Sequence, residues 1–269
     1  MPDSLNDNLH LFAPFHADRL NNDRGIAVWL PPSYGRSESR RYPVLYLQDG
    51  MSMLDCDTRS NEAKAGVDSW VEKLSARGFM SEIILVAIDN LPGRDQEYSP
   101  AIRGADYADF VVRQVKPYID HHYRTMPESE NTGVAGWSLG ALISLFLAWK
   151  HPDVFGKAAC LSTCFFDCPT EDDGDMVMRT YKEMIHASDF DPNLRLYFDY
   201  GTDENVDEDM SQPENMEQTR RLTKNLQQNL LIPDVDYVFH VEQGGKHLMQ
   251  DWRRRFYRPL TFLYPAEKE

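Results

Sequence analysis

The chain has 269 residues, of which 42% are hydrophobic, and its formal net charge at pH 7 is −15. A hydrophobic fraction of this size supports a large buried core, which excludes a largely disordered chain. The negative charge argues against nucleic acid or an anionic membrane surface as the main partner, because both bind basic protein surfaces.

The N-terminal segment has no basic region followed by an apolar run of signal-peptide length. No other segment approaches the ~20 consecutive apolar residues of a transmembrane helix. We therefore expect a cytoplasmic protein without a membrane partner.

Four cysteines, Cys56, Cys160, Cys164 and Cys168, are too few for a disulfide scaffold in a chain of this length. The last three are spaced by four residues, which raises the question of a metal site. Closed zinc sites usually combine closely paired cysteines or add histidines, and this run has neither. We interpret the cysteines as buried or loop thiols and expect no metal site.

Apolar runs that alternate with helix-period segments predict a mainly parallel sheet with crossover helices on both faces. The predicted strands cover residues 25–30, 42–47, 82–88, 132–137, 194–200 and 235–241. The predicted helices include residues 107–118, 142–149, 216–226 and 248–263, with bends expected at Pro117 and Pro259. We expect one domain over residues 1–269, with a small insertion near 164–190 that covers the strand ends.

The motif with the clearest chemistry is Gly136-Trp137-Ser138-Leu139-Gly140, which matches G-x-S-x-G between a predicted strand and a predicted helix. In this context the glycines permit a sharp strand-to-helix turn that exposes the serine hydroxyl above the sheet. The turn also places the Leu139 N–H at a helix N-terminus. We interpret Ser138 as a nucleophile; the alternative is a glycine-rich turn with an incidental serine.

A serine hydroxyl needs a base to become a good nucleophile. Of the eight histidines, only His240 and His247 follow the late strands. His240 lies inside a predicted strand, whereas His247 follows a flexible glycine-containing loop, where a base could reach Ser138.

The acid that orients the base should follow the strand at 194–200, where the loop contains Asp203, Glu204, Asp207, Glu208 and Asp209. The residues alone leave the choice among these acids open. The run lacks the spacing of an EF-hand calcium loop, so most of its acids are interpreted as solvated side chains.

Several further segments occur in a characteristic order: RYPVLYLQDG at 41–50, AIDN at 87–90, Arg94, EYSP at 97–100, GWSLGA at 136–141 and HPDVFGK at 151–157. This order resembles the family named Putative esterase, a branch of the α/β-hydrolases. That family includes enterobactin-type siderophore esterases, feruloyl and acetylxylan esterases, S-formylglutathione hydrolases and mycolyltransferases. The resemblance covers roughly residues 20–264 and implies the α/β-hydrolase fold.

The resemblance implies Ser138 as nucleophile, Glu204 as acid and His247 as base, with the N–H groups of Leu139 and Met51 as the oxyanion hole. The strand-to-helix turn around Ser138 is called the elbow below. Many relatives have Ser-Met-Gly-Gly at the elbow, where this chain has Ser-Leu-Gly-Ala. Since Ala141 is small, we expect the helix to remain close to the strand. The pocket loops match no single subfamily, so the resemblance leaves the substrate open.

We therefore expect a serine esterase that hydrolyses a small-molecule carboxylic ester through an acyl-enzyme, without a cofactor. An acyltransferase with the same triad and a non-catalytic binding protein are the alternatives, and the oligomeric state is not predicted. Candidate substrate-binding residues are Trp137, Arg94 and Phe165, with Phe166 and Arg103 as further candidates. For the aromatic residues the alternative is core packing, and for the arginines it is structural ion pairs.

Overall fold

A computed structural model describes residues 3–6, 8–12, 14–59, 61–165, 174–204 and 212–266 of the chain. Nine strands of the described residues form one sheet, and two short strands form a separate hairpin. The strands of the main sheet are β1 (Asp3–Asn6), β2 (Leu9–Leu11), β5 (Ile26–Trp29), β6 (Val44–Gln48), β7 (Ile84–Ile88), β8 (Thr132–Trp137), β9 (Lys157–Leu161), β10 (Arg195–Gly201) and β11 (Tyr237–Glu242). The hairpin is β3 (Phe15–Ala17) with β4 (Asn22–Arg24).

The order of strands across the sheet is β1-β2-β5-β7-β6-β8-β9-β10-β11. From β7 to β11 all neighbours are parallel, while β1, β2 and β5 add an antiparallel edge. The chain places β7 on one side of β6 and β8 on the other. The winding direction therefore reverses at β6, and ligand sites of open α/β sheets lie at the carboxyl ends of strands near such a reversal.

Helices cover both faces of the sheet. They are α1 (Val67–Ser75), α2 (Arg94–Glu97), α3 (Gly104–Phe110), α4 (Lys116–His122), α5 (Leu139–Lys150), α6 (Gly174–Ile185), α7 (Gln212–Gln228), α8 (Met249–Arg255) and α9 (Tyr257–Leu263). One hydrophobic core contains apolar residues of α3, α5, α6 and α7, and a second contains those of α1, α8 and α9. This mainly parallel sheet between two helical layers confirms the expected fold class.

The predicted strands all occur within a few residues of their expected bounds. The elements that were not predicted are strands β1 to β4 and β9 and helices α1, α2 and α6. Pro117 was expected to bend its helix, and a π-helical turn at Val111–Val115 precedes it in the structure. The turn accommodates the missing proline N–H, so the helix continues as α4. Near Pro259, α8 ends at Arg255 and α9 begins at Tyr257.

Part of the expected insertion, residues 166–173, lies outside the described residues, and α6 occupies much of the remainder. The assignment of 1–269 as one domain with this insertion stays a prediction. Within the part of the chain that the structure describes, no helix has both the length and the apolar character needed to cross a membrane.

Candidate active site

Ser138 lies at a sharp turn between β8 and α5, with φ 54° and ψ −127°. Non-glycine residues rarely adopt positive φ, and such strain is retained where the surroundings hold it in place. The Ser138 N–H donates to the Leu161 carbonyl at 3.0 Å, which fixes the turn to the end of β9. Its side chain is half-buried at the carboxyl end of the sheet.

The glycines of the motif have a steric role that the structure makes explicit. A Cβ atom on Gly136 would lie 2.5 Å from the backbone of Gly140, so the two glycines bring strand and helix into direct backbone contact. A Cβ on Gly140 would lie 2.9 Å from the Asp49 carboxylate. This loop after β6 therefore packs directly against the start of α5.

The loop after β6 carries Met51, one of the two expected oxyanion donors. Asp49 lies two residues before Met51 and has a φ of 59°. Its carboxylate accepts hydrogen bonds from Arg94 at 2.7 and 2.9 Å and from Asn90 at 2.7 Å. The Lys64 ammonium donates to the Met51 carbonyl at 2.7 Å. Hydrogen bonds thus hold both the Asp49 side chain and the Met51 carbonyl of this loop.

Met51 and Leu139 are expected to contribute only their backbone N–H groups. Leu139 is the first residue of α5, and the first N–H groups of a helix have no intrahelical acceptor. The Met51 N–H bonds to the carboxylate of Asp89, a group whose pKa burial raises to about 6 against the lowering effect of Arg59. In this structure the Met51 N–H therefore already has an acceptor.

Glu204 and His247 form a hydrogen-bonded pair. His247 Nδ1 lies 3.2 Å from Glu204 Oε2, and the Glu204 side chain is almost fully buried. Burial alone would raise the pKa of Glu204, but the hydrogen bonds from His247, Ser162 and the Gly201 N–H outweigh it and lower the pKa below its ordinary value. The carboxylate is therefore held ionised beside the imidazole.

The other candidates for the acid and the base have different surroundings. Asp203 is exposed, and its carboxylate accepts a hydrogen bond from the Thr202 hydroxyl. His240 is a β11 residue whose Nε2 lies 3.1 Å from Glu242. Asp207, Glu208 and Asp209 lie outside the described residues.

Close backbone contact joins the loops that carry Glu204 and His247. Asp203 N–H donates to the Gly245 carbonyl at 2.9 Å, and Thr202 N–H donates to the Glu242 carbonyl at 2.9 Å. A Cβ on Gly201 would overlap the Gly245 carbonyl. The absence of side chains at both glycines therefore lets the acid and the histidine approach each other.

Gly201→Ala is expected to separate the two loops, because the added methyl has no space beside Gly245. We expect a loss of about 1–3 kcal/mol in the free energy of unfolding, as for overpacked sites, together with a lower kcat. Thermal unfolding and p-nitrophenyl ester turnover measure both effects. Gly35→Ala is the control, since nothing lies within 4 Å of its added Cβ. Equal behaviour of the two variants would contradict this role for the contact.

Stacked aromatic side chains connect the nucleophile strand to His247. Trp137 and Trp252 stack with ring centroids 5.0 Å apart, and Trp252 meets the His247 ring edge-on at 4.7 Å. Because Trp137 directly precedes Ser138, this stack places His247 on the side of the sheet edge where the elbow lies.

The candidate substrate-binding residues that the structure describes all make contacts within the chain. Phe165 is fully buried in the core, and Trp137 is 5% exposed within its stack. Arg94 is occupied by Asp49, and Arg103 donates to the Arg19 carbonyl at 2.8 Å. For these four residues the contacts favour the alternatives of core packing and structural polar contacts, and substrate contact stays a prediction. Phe166 lies outside the described residues.

Four residues near Glu204 were not predicted to be part of the site: Ser162, Asp199, Trp252 and Arg255. All are buried, and their side chains form a connected group of polar contacts with the Glu204 carboxylate. Arg255 Nη2 lies 3.0 Å from Glu204 Oε1 and 3.1 Å from Asp199 Oδ1. The sequence gives one weak signal for them, since a buried arginine at the end of an apolar helix face requires an acidic partner.

Comparison with known proteins assigns the chain to a family. The model of the family described as Putative esterase matches residues 17–263. The protein YbbA of Bacillus subtilis is 25% identical over 256 residues, which cover 90% of this chain and 93% of YbbA.

Solved structures of esterases share the fold. A ferulic acid esterase superposes with a TM-score of 0.72 at 20% identity, covering 96% of this chain and 98% of that one. The enterobactin esterase FES of Shigella flexneri superposes with a TM-score of 0.73 at 19% identity, covering 97% of this chain and 60% of that one. The family match over nearly the whole chain and the esterase fold show that this chain is a member of the Putative esterase family, a hydrolase that acts on ester bonds.

Proposed function

We propose that the chain hydrolyses a carboxylic ester through a covalent acyl-enzyme, with Ser138 as nucleophile, His247 as general base and acid, and Glu204 as the orienting acid. The observation that carries this proposal is the hydrogen bond between His247 Nδ1 and the buried Glu204 carboxylate, at the same sheet edge as the strained elbow of Ser138. A nucleophile, a base and a group that orients the base are the components of a serine-hydrolase triad.

In the first half of the reaction, Ser138 Oγ attacks the ester carbonyl carbon and its proton passes to His247 Nε2. Glu204 accepts the Nδ1–H hydrogen bond, so Nε2 is the nitrogen that remains basic. The tetrahedral intermediate collapses when the alkoxide leaves with the proton from His247. An acyl group is then bound to Ser138.

In the second half, water attacks the acyl carbon and gives its proton to His247. Collapse of the second intermediate returns the proton to Ser138 and releases the carboxylic acid. Glu204 stays ionised throughout and stabilises the imidazolium that forms in each half. Its lowered pKa suits this role, because a protonated acid could not stabilise a cation.

The N–H groups of Leu139 and Met51 would bind the oxyanion of each intermediate. Such a donor contributes roughly 3–4 kcal/mol to transition-state stabilisation where it has been measured. The Asp49 carboxylate lies against Gly140 at the start of α5, and Lys64 binds the Met51 carbonyl, which supports a fixed position of the Met51 loop beside α5. No step of this scheme requires a metal or a cofactor.

For the substrate we propose a small-molecule ester. Two superposed structures are named for ferulic acid and enterobactin, so feruloyl esters and enterobactin belong in a substrate panel with acetylated sugars and thioesters. Turnover of one class well above simple p-nitrophenyl esters would identify it.

Hydrolysis is distinguished from acyl transfer by the fate of the acyl group. With p-nitrophenyl acetate in water enriched in oxygen-18, we expect free acetic acid that carries one heavy oxygen. With a simple alcohol present at moderate concentration, we expect acid to remain the main product. Exclusive formation of the alcohol's ester would show an acyltransferase and contradict the hydrolase assignment.

A further inference from the structure

The end of β9 and the residues directly after it contact both the nucleophile and the acid. The Leu161 carbonyl accepts the Ser138 N–H at 3.0 Å, and the Cys164 N–H donates to the Ser138 carbonyl at 3.4 Å. Between them, the Ser162 hydroxyl donates to Glu204 Oε1 at 2.6 Å. Residues 161–164 therefore hold the elbow backbone and touch the acid directly.

The Ser162 hydroxyl is buried and uses its full hydrogen-bonding capacity. It accepts from Trp252 Nε1 at 2.9 Å and from Arg255 Nη2 at 2.6 Å, while it donates its proton to Glu204. One donor and two acceptor positions are all that a hydroxyl has. Its proton is therefore committed to the carboxylate.

Ser162 adopts this position at a conformational cost. Its φ is 48°, a left-handed value that favours glycine, and its N–H donates to the Asp199 carbonyl at 2.9 Å. A serine retained where glycine would be more stable indicates that the side chain has a use.

We propose that Ser162 is a positioning residue, whose hydroxyl fixes the Glu204 carboxylate toward His247 and sets its distance from the Ser138 elbow. This inference rests on the triad of the proposed function and adds a residue that acts through Glu204. Ser162 does not touch the substrate in this scheme, so its loss affects kcat rather than KM.

The charged neighbours of Glu204 define the expected pH effect. They are His247 from the loop after β11, Arg255 from α8 and Asp199 from β10. The Ser162 donor favours the ionised form of Glu204, so its removal raises the acid's pKa. Activity of a variant without the hydroxyl should therefore fall further as the pH decreases from 7 toward 5.

The first test compares Ser162→Ala with Ser162→Gly in the full chain, using p-nitrophenyl acetate. Both remove the hydroxyl, but glycine also relieves the positive φ. We expect Ser162→Gly to be the more stable of the two in thermal unfolding. We expect kcat to fall about 10- to 100-fold in both, by analogy with hydrogen-bond partners that orient metal ligands, with KM nearly unchanged. Recovery of kcat in Ser162→Gly would mean that the backbone matters rather than the hydroxyl, and would overturn the inference.

Thr132→Val is the matched control. It removes a hydroxyl that is equally buried, at the opposite end of the strand that leads to Ser138. We expect its kcat to stay within about twofold of the parent. A loss as large as that of the Ser162 variants would show that any buried hydroxyl has this effect, which would also overturn the inference.

A double-mutant cycle tests whether Ser162 acts through Glu204. In the Glu204→Ala background no carboxylate remains to be positioned, so adding Ser162→Ala should lower kcat by less than about threefold. A further 10- to 100-fold loss in that background would show independent action and reject the proposal. Failure of the triad is distinguishable, because then Ser138→Ala and Glu204→Ala would themselves retain turnover.

Discussion

Replacement of Ser138 by alanine is expected to lower kcat for p-nitrophenyl ester hydrolysis by roughly 10⁴- to 10⁶-fold, the range observed when a triad member is lost. Without the hydroxyl no acyl-enzyme can form, and the oxyanion donors alone provide the residual rate over water. The fold should persist, since alanine removes one oxygen from a half-buried side chain.

Thermal unfolding of Ser138→Ala, compared with the parent chain, separates loss of activity from loss of fold. An unfolding temperature near that of the parent together with absent turnover supports the assignment. Substantial turnover by a purified variant would reject Ser138 as the nucleophile. If the parent chain also shows no turnover on any ester of the panel, the proposed substrate classes are rejected.

Glu204→Gln is expected to reduce kcat by roughly 10²- to 10⁴-fold, because an amide cannot stabilise the imidazolium and favours the wrong tautomer of His247. The effect should be large since Glu204 is buried and directly bonded to His247. Turnover of p-nitrophenyl acetate at saturating substrate measures it.

Asp203→Asn is the matched control for Glu204→Gln. The two residues are adjacent and each change replaces a carboxylate with its amide, but Asp203 is exposed and bonded to Thr202. We expect its kcat to stay within about threefold of the parent, as for most exposed substitutions. If Asp203→Asn is the impaired variant, the acid has been assigned one residue too far along the loop.

The strand-to-helix turn at Ser138 could be predicted because its cause is local. The two glycines surround the serine at the spacing that backbone contact between β8 and α5 requires, and the spacing is visible in the sequence. Strand β9 was missed for a local reason as well. The β9 sequence KAACL contains none of the β-branched or aromatic residues that usually indicate a strand.

The support around Glu204 could not be predicted because it joins segments distant in sequence. Ser162 is 42 residues from Glu204 and 93 residues from Arg255, and no sequence pattern connects them. The residue types of Phe165 and Trp137 likewise allowed either substrate contact or core packing. Their burial follows from how the faces of the sheet pack, which no local pattern shows. Residue type shows what a side chain can do, whereas the fold decides which neighbours it meets.

The central claim is that Ser138 becomes covalently acylated. Reaction of the full chain with a fluorophosphonate, followed by peptide mass spectrometry, tests it most directly because these reagents phosphonylate a serine activated by its base. We predict one adduct per chain, on the peptide that contains Ser138, and strongly reduced labelling of Glu204→Gln. An adduct on a different residue, or none while esters are still hydrolysed, would contradict the account.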